Sequence, residues 1–218
     1  MFDNELAKQL GLQKTGEEPG SSPYGIVHMT QIDDMDTKIN GIAIRLTGNL
    51  SDDLGRSGLK QAGPAGILSP QVLAVNAVVV LDIVEPALYI VKPVPKDVAR
   101  WLAQTFTTHA FEAIQRLDDV RGPREIVRAK TDVLGDINMF VDSGATNTDL
   151  YTEKQIDSSR SISIRIGRHE CQTRVVVHPI KSPLPGGANL LGMDCLKGKI
   201  LAFGPPGTSV IWMGWPKK

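Results

Sequence analysis

An internal echo constrains this chain more than any other feature of its sequence. Gly66-Ile67-Leu68-Ser69-Pro70-Gln71-Val72-Leu73 lies over Asn189-Leu190-Leu191-Gly192-Met193-Asp194-Cys195-Leu196. Downstream, Val80-Leu81-Asp82 through Leu88-Tyr89-Ile90 matches Ala202-Phe203-Gly204 through Val210-Ile211-Trp212 without a gap. Each copy reads as a Leu-containing element, an apolar strand, a Pro-containing turn and a last apolar strand. Two copies of a small β unit account for 218 residues better than one domain does. The 21 Gly and 14 Pro, set among Val, Ile and Leu, suit short strands and tight turns.

Between the copies the character changes. Pro93 and Pro95 mark a boundary. Val98, Trp101, Leu102, Phe106, Ala110, Ala113, Ile114 and Leu117 then fall at helical spacing, predicting one long helix from about Lys96 to Asp118. The expected organisation is therefore a first lobe over 1–92, a helical connector over 93–122 and a second lobe over 123–218. In the first lobe, Asp3 to Leu12 reads as a short capped helix ended by Gly11. Residues 13–24 read as a polar loop or hairpin tip. Strands are expected at 25–29 and 39–46, with Asn40-Gly41 as a turn and residues 47–66 as a loop. In the second lobe, Ser161 to Gly167 alternates cleanly and predicts a half-buried strand.

The balance of 24 basic and 24 acidic residues favours neither nucleic acid nor an anionic membrane as partner. No apolar run approaches the ~18 residues of a membrane span. Met1-Phe2-Asp3-Asn4-Glu5 does not open a signal peptide, which makes the cytoplasm the default expectation. Cys171 and Cys195 are expected as two buried thiols, since two cysteines make no framework. His169, Cys171, His178 and Cys195 lack zinc-ligand spacing, and no metal or cofactor is expected. Gly204-Pro205-Pro206-Gly207 lacks the Lys of a phosphate loop, and Ser143 lacks a Gly-x-Ser-x-Gly elbow.

The chemistry centres on Met139-Phe140-Val141-Asp142-Ser143-Gly144-Ala145-Thr146-Asn147-Thr148. An apolar strand runs straight into an acid, and the acid enters a turn of small residues. Backbone N–H groups can hold such a carboxylate, and a second surface can approach it closely. Two carboxylates about 3 Å apart cannot both ionise, so one keeps a proton while the other stays a base.

Val141-Asp142-Ser143-Gly144-Ala145-Thr146 resembles the D-[TS]-G-[AS] signature of retropepsin-like aspartic proteases, and Leu190-Leu191-Gly192-Met193-Asp194 resembles their second signature. The resemblance covers Glu125 to Trp212 well and Asp3 to Val91 more loosely. It implies a mostly β fold: two acid-protease β-barrel lobes joined by the helix, the first lacking its catalytic loop at the N-terminus. It further implies an aspartic endopeptidase in which Asp142 supplies one carboxylate of a water-activating dyad. Ser143 and Thr146 would orient the loop, Gly144 and Ala145 would permit close approach to a peptide or protein substrate, and Leu191 and Gly192 would support it from behind. Asp53-Leu54-Gly55 has the wrong middle residue, and Asp34 and Asp36 read as part of a polar loop. The second carboxylate is therefore expected from a second subunit, in a homodimer, or from a segment before Met1. Residues 13–24 are the better flap candidate, because little sequence lies between Leu150 and Ile162. The alternative is a catalytically inactive module of the same fold that binds a peptide or dimerises.

Overall fold

A computed structural model describes residues 8, 11–22, 25–39, 42–51, 70–119, 122–157, 159–205 and 207–217. The chain is mostly β and forms two compact units, Met1–Leu73 and Ala74–Lys218. The first contains a three-stranded antiparallel sheet of β1 (Lys14–Ser22), β2 (Gly25–Ile39) and β3 (Ile42–Ser51), in that order, and a short helix α1 (Pro70–Leu73). The stretch expected as a loop at 13–24 is thus largely strand. Gly16, Pro19 and Gly20 have poor strand propensity, but the neighbouring β2 supplies the ladder, and Pro is tolerated on an edge strand. Asp34 and Asp36 likewise lie in β2, where the register with β3 shifts between Ile32 and Met35, and not in a loop. The helix expected over Asp3 to Leu12 falls outside the described residues except for Lys8, Gly11 and Leu12. So do the Asn40-Gly41 turn and Asp53.

The second unit holds β4 (Val78–Asp82), β5 (Ala87–Val91), β6 (His109–Asp119), β7 (Gly122–Thr131), β8 (Gly135–Val141) and β9 (Asp149–Tyr151). It continues through β10 (Ile162–Ile166), β11 (His169–Thr173), β12 (Val176–His178), β13 (Asn189–Leu191), β14 (Ile200–Phe203) and β15 (Val210–Pro216). Helices α2 (Val98–Thr105) and α3 (Met193–Leu196) complete it. The strands form one mixed sheet in the order β12-β9-β13-β8-β7-β6-β15-β14-β4-β5, with β10 pairing β7 and β11. As the alternation predicts, Ile162, Ile164 and Ile166 are buried and Arg165 is exposed. They join Val127, Met139, Leu150, Leu191, Leu196 and Ile211 in the main core.

The repeat takes physical form here. Hairpins β4–β5 and β14–β15 lie side by side, with β4 antiparallel to β14 and Val80 opposite Ala202. Those two positions are equivalent in the sequence match, so the hairpins are related by a local two-fold. Val80 pairs with Tyr89 while Ala202 pairs with Trp212, so the second turn holds one residue more than the ungapped match allows. The hairpin at 78–91, assigned from sequence to the first lobe, is hydrogen-bonded into the sheet of Ala74–Lys218.

The long helix is corrected. α2 ends at Thr105, and His109–Asp119 is strand β6. Asp97 caps α2 by accepting the Arg100 N–H at 2.9 Å. Leu102 is fully buried against Val78, Val80, Ile200 and Ala202, a burial that contributes about 2 kcal/mol. Beyond Thr105 the apolar positions fit a helix, but Ile114 and Arg116 are buried between exposed Ala113 and Gln115, which is strand alternation. β6 is in register with β15 from His109 opposite Pro216 to Gln115 opposite Val210. That distant ladder overrides the local spacing, since strand propensity depends chiefly on what a strand packs against.

The expectation of two free thiols is also corrected: Cys171 in β11 and Cys195 in α3 form a disulfide, with Cα atoms 5.6 Å apart. The two positions are 24 residues apart on elements that only the fold brings together. Peptide mapping without reduction is expected to recover the linked pair. Reduction is expected to lower the unfolding free energy by about 3 kcal/mol, mainly by freeing the unfolded chain.

Candidate active site

Strand β8 delivers Asp142. Met139 and Val141 are buried, so the strand is pinned up to the residue before the acid. β13 then threads between the two strands that flank the loop. It runs parallel to β8, with Leu190 opposite Phe140 and Leu191 opposite Val141, and antiparallel to β9, with Leu190 opposite Asp149. The buried Asn189 side chain joins both neighbours: its Oδ1 accepts the Tyr151 N–H at 2.7 Å and its Nδ2 donates to the Asn138 carbonyl at 3.3 Å.

The loop between them is short and lightly packed. Ser143, Gly144, Thr146 and Asn147 are exposed, and Asp142 is half-buried. The Asp142 N–H donates to the Leu191 carbonyl at 3.0 Å, and the Ala145 N–H closes the turn onto the Asp142 carbonyl at 3.2 Å. The Gly144 N–H donates to Asp142 Oδ1 at 2.8 Å, fixing the carboxylate orientation. The geometry can present a carboxylate, with one oxygen held by a backbone donor, to an approaching group.

Gly192 follows β13 and faces the loop. A Cβ there would lie 2.2 Å from the Asn147 carbonyl oxygen and 3.0 Å from that of Ala145. Only a residue without a side chain permits this approach. Two N–H groups opening α3 then bind the loop: Met193 donates to the Ala145 carbonyl at 2.8 Å and Asp194 to that of Thr146 at 3.3 Å.

Among the described residues, the hydroxyl that holds the loop is that of Thr148, while Ser143 and Thr146 stand at the surface. Thr148 is fully buried; its Oγ1 accepts the Gly192 N–H at 3.1 Å and donates to Asp194 Oδ1 at 2.6 Å. Thr148, Thr173, Asn189 and the side chain of Asp194 were not singled out from sequence. Asp194 stood within the second signature, Thr148 at the end of the acid-bearing stretch and Asn189 at the start of the echo, but none of the four had a role assigned.

Among the described residues no group of three or more His, Cys, Asp or Glu could hold a metal ion. His178 Nε2 lies 3.2 Å from Asp149 Oδ2, and its ring stacks on Tyr151 at 4.7 Å. His169 lies 6.1 Å from the ring of Trp215, and burial followed by the nearby Lys199 charge pushes its pKa down from 6.5 to about 4. His169 therefore favours the folded state fully above pH 6.5, and that contribution fades as pH falls through about 4. Because the group is only half-buried, the screened loss is about 1–2 kcal/mol. Urea unfolding at pH 7 and pH 4 is expected to show it, and His169→Gln to flatten the difference.

No helix among the described residues is long and apolar enough to cross a membrane. No family model matches the chain, and no curated protein matches it. Among solved structures it is similar to a retropepsin-like aspartic protease from Rickettsia conorii, at 19% identity over 50% of this chain and 94% of that one, with a TM-score of 0.33.

Proposed function

We propose that the chain is an aspartic-type endopeptidase of the retropepsin-like kind, with Asp142 as one carboxylate of its dyad. The observation that carries the reading is the threading of β13 behind the Asp142 loop, with Leu191 receiving the Asp142 N–H. The second carboxylate comes from a second subunit or from another lobe of the same polypeptide. With one proton shared between the two, the ionised carboxylate takes a proton from water as its oxygen attacks the peptide carbonyl carbon. The protonated carboxyl donates to the carbonyl oxygen. Collapse of the tetrahedral intermediate breaks the C–N bond, with a proton delivered to the amine. No metal takes part in these steps. Gly144 and Ala145 leave room for the facing loop, and Leu191 and Gly192 hold this one from behind.

Incubation with an unfolded protein substrate across pH 3–7 tests the reading. Cleavage that pepstatin stops and a chelator leaves untouched is expected, and no cleavage in any oligomeric state would sink it. A second reading, a peptide-binding or dimerising module without catalysis, is favoured by one observation. Residues 152–157 and 159–161 contain no strand that could form a covering flap in this unit.

A further inference from the structure

We propose that the outer face of β7, between β8 and β10, is a docking cleft for an acidic, extended peptide segment. The cleft has a volume of about 450 Å³ and lies wholly within Ala74–Lys218. Arg128 and Lys130 of β7, Asp136 and Asn138 of β8 and Arg165 of β10 line it. The ladders put these side chains on one face, because residues directly opposite on neighbouring strands point to the same side of a sheet. Arg128 lies opposite Asn138, and Lys130 lies opposite both Asp136 and Arg165. Ala129, between the two β7 cations, is buried on the other side.

Glu170 of β11 lies opposite Arg165 and pairs with it at 3.1 Å. The row across four strands therefore runs Glu170, Arg165, Lys130, Asp136, with an acid at each end and two cations side by side in the middle. Like charges directly opposite destabilise a sheet, and an anionic group seated over them relieves the repulsion. Arg128 adds a third cation two positions along β7. The residue opposite it, Asn138, is uncharged, and its amide donates to the Gly186 carbonyl at 3.2 Å. All three cations are exposed, and neither Arg128 nor Lys130 forms an ion pair with a described residue. Glu112, packed beside Gly167, accepts the Arg168 N–H at 2.9 Å, which holds its carboxylate at the β10–β11 turn.

The spacing selects the ligand class. Alternate residues of a strand are about 7 Å apart and neighbouring strands about 5 Å apart. Arg128 and Lys130 therefore match carboxylates at alternate positions of an extended peptide, which repeat at the same interval. A single phosphate suits converging donors and free backbone N–H groups. Here β7 is paired on both sides at Lys130, so only side chains face the ligand. Asp136 lies six positions before Asp142, about 20 Å along β8, so the cleft is separate from the acid-bearing loop and does not depend on the endopeptidase reading.

Calorimetric titration of the full chain with an end-blocked hexapeptide of alternating glutamate and threonine, at about 50 mM salt, tests the proposal. Saturable binding with a Kd of about 10–100 μM is expected, weakened at least about fivefold at about 300 mM salt. Arg128→Gln and Lys130→Gln are each expected to weaken it about threefold to fivefold, and the double variant at least about tenfold. Lys154→Gln removes an exposed cation outside the cleft and is expected to change it by less than about 1.5-fold. An isomeric hexapeptide with its glutamates contiguous, and inorganic phosphate, are each expected to bind at least about fivefold more weakly. No saturation below about 1 mM would overturn the proposal and mark an ordinary solvated face. Equal weakening by Lys154→Gln would overturn it as a general charge effect. Equal binding of the isomer or of phosphate would overturn it as an anion site without peptide register. If either glutamine variant fails to fold, the other decides by the same criterion.

Discussion

Asp142→Asn is expected to abolish peptide cleavage while leaving the fold intact. The substitution is isosteric. The amide oxygen can still accept the Gly144 N–H that Asp142 Oδ1 accepts at 2.8 Å, so the turn keeps its closure. An amide, however, can neither take a proton from water nor share one with a facing carboxylate. Proton transfer by a positioned side chain contributes about 10²–10⁴-fold, and a dyad loses both of its roles when one member is removed. The rate is therefore expected to fall by at least about 10³-fold, with Tm within about 2 °C of wild type. Undiminished cleavage by the variant would trace the activity to some other group and remove Asp142 from the mechanism.

Gly192→Ala is expected to give the largest loss of stability of any single methyl addition near the site. The new Cβ would fall 2.2 Å from the Asn147 carbonyl oxygen and 2.4 Å from its carbon. Both are backbone atoms, so no rotamer change relieves the overlap; the loop or β13 has to move. Overpacking of this kind costs about 3 kcal/mol or more. Denaturant unfolding at pH 7 reads the loss directly. Gly144→Ala supplies the contrast. Its Cβ would meet only Asp142 Oδ1, at 3.1 Å, and a carboxylate can rotate where a backbone cannot. That variant is expected to lose activity with little loss of stability. Similar stability losses from the two substitutions would mean that the loop is not wedged against Gly192.

The sequence carried the acid-bearing turn because its signal is local. Apolar residues run into Asp142, small residues follow it, and the strand and turn both form within ten positions. It carried the alternation of β10 for the same reason. It misassigned 109–119 because Ala110, Ala113, Ile114 and Leu117 are spaced as on a helix face, while the strand buries alternate positions, Ile114 and Arg116. The choice was made by β15, nearly a hundred residues away. In the first unit the strands expected at 25–29 and 39–46 fall in β2 and β3, while β1 was hidden in a similar way. β1 has the composition of a loop, and its state depends on β2 alongside it.

What the sequence determined by itself was the mostly β character, the strand leading into Asp142 and the kinship of hairpins β4–β5 and β14–β15, all of which follow from spacing within short windows. Tertiary structure decided that the hairpins are neighbours in one sheet, that Cys171 meets Cys195, and that Thr148 and Thr173 converge on Asp194. Those contacts join residues 21 to 124 positions apart, and no local periodicity encodes them. They exist because β13, threaded between β8 and β9, brings its Gly192 and Asp194 to the back of the loop.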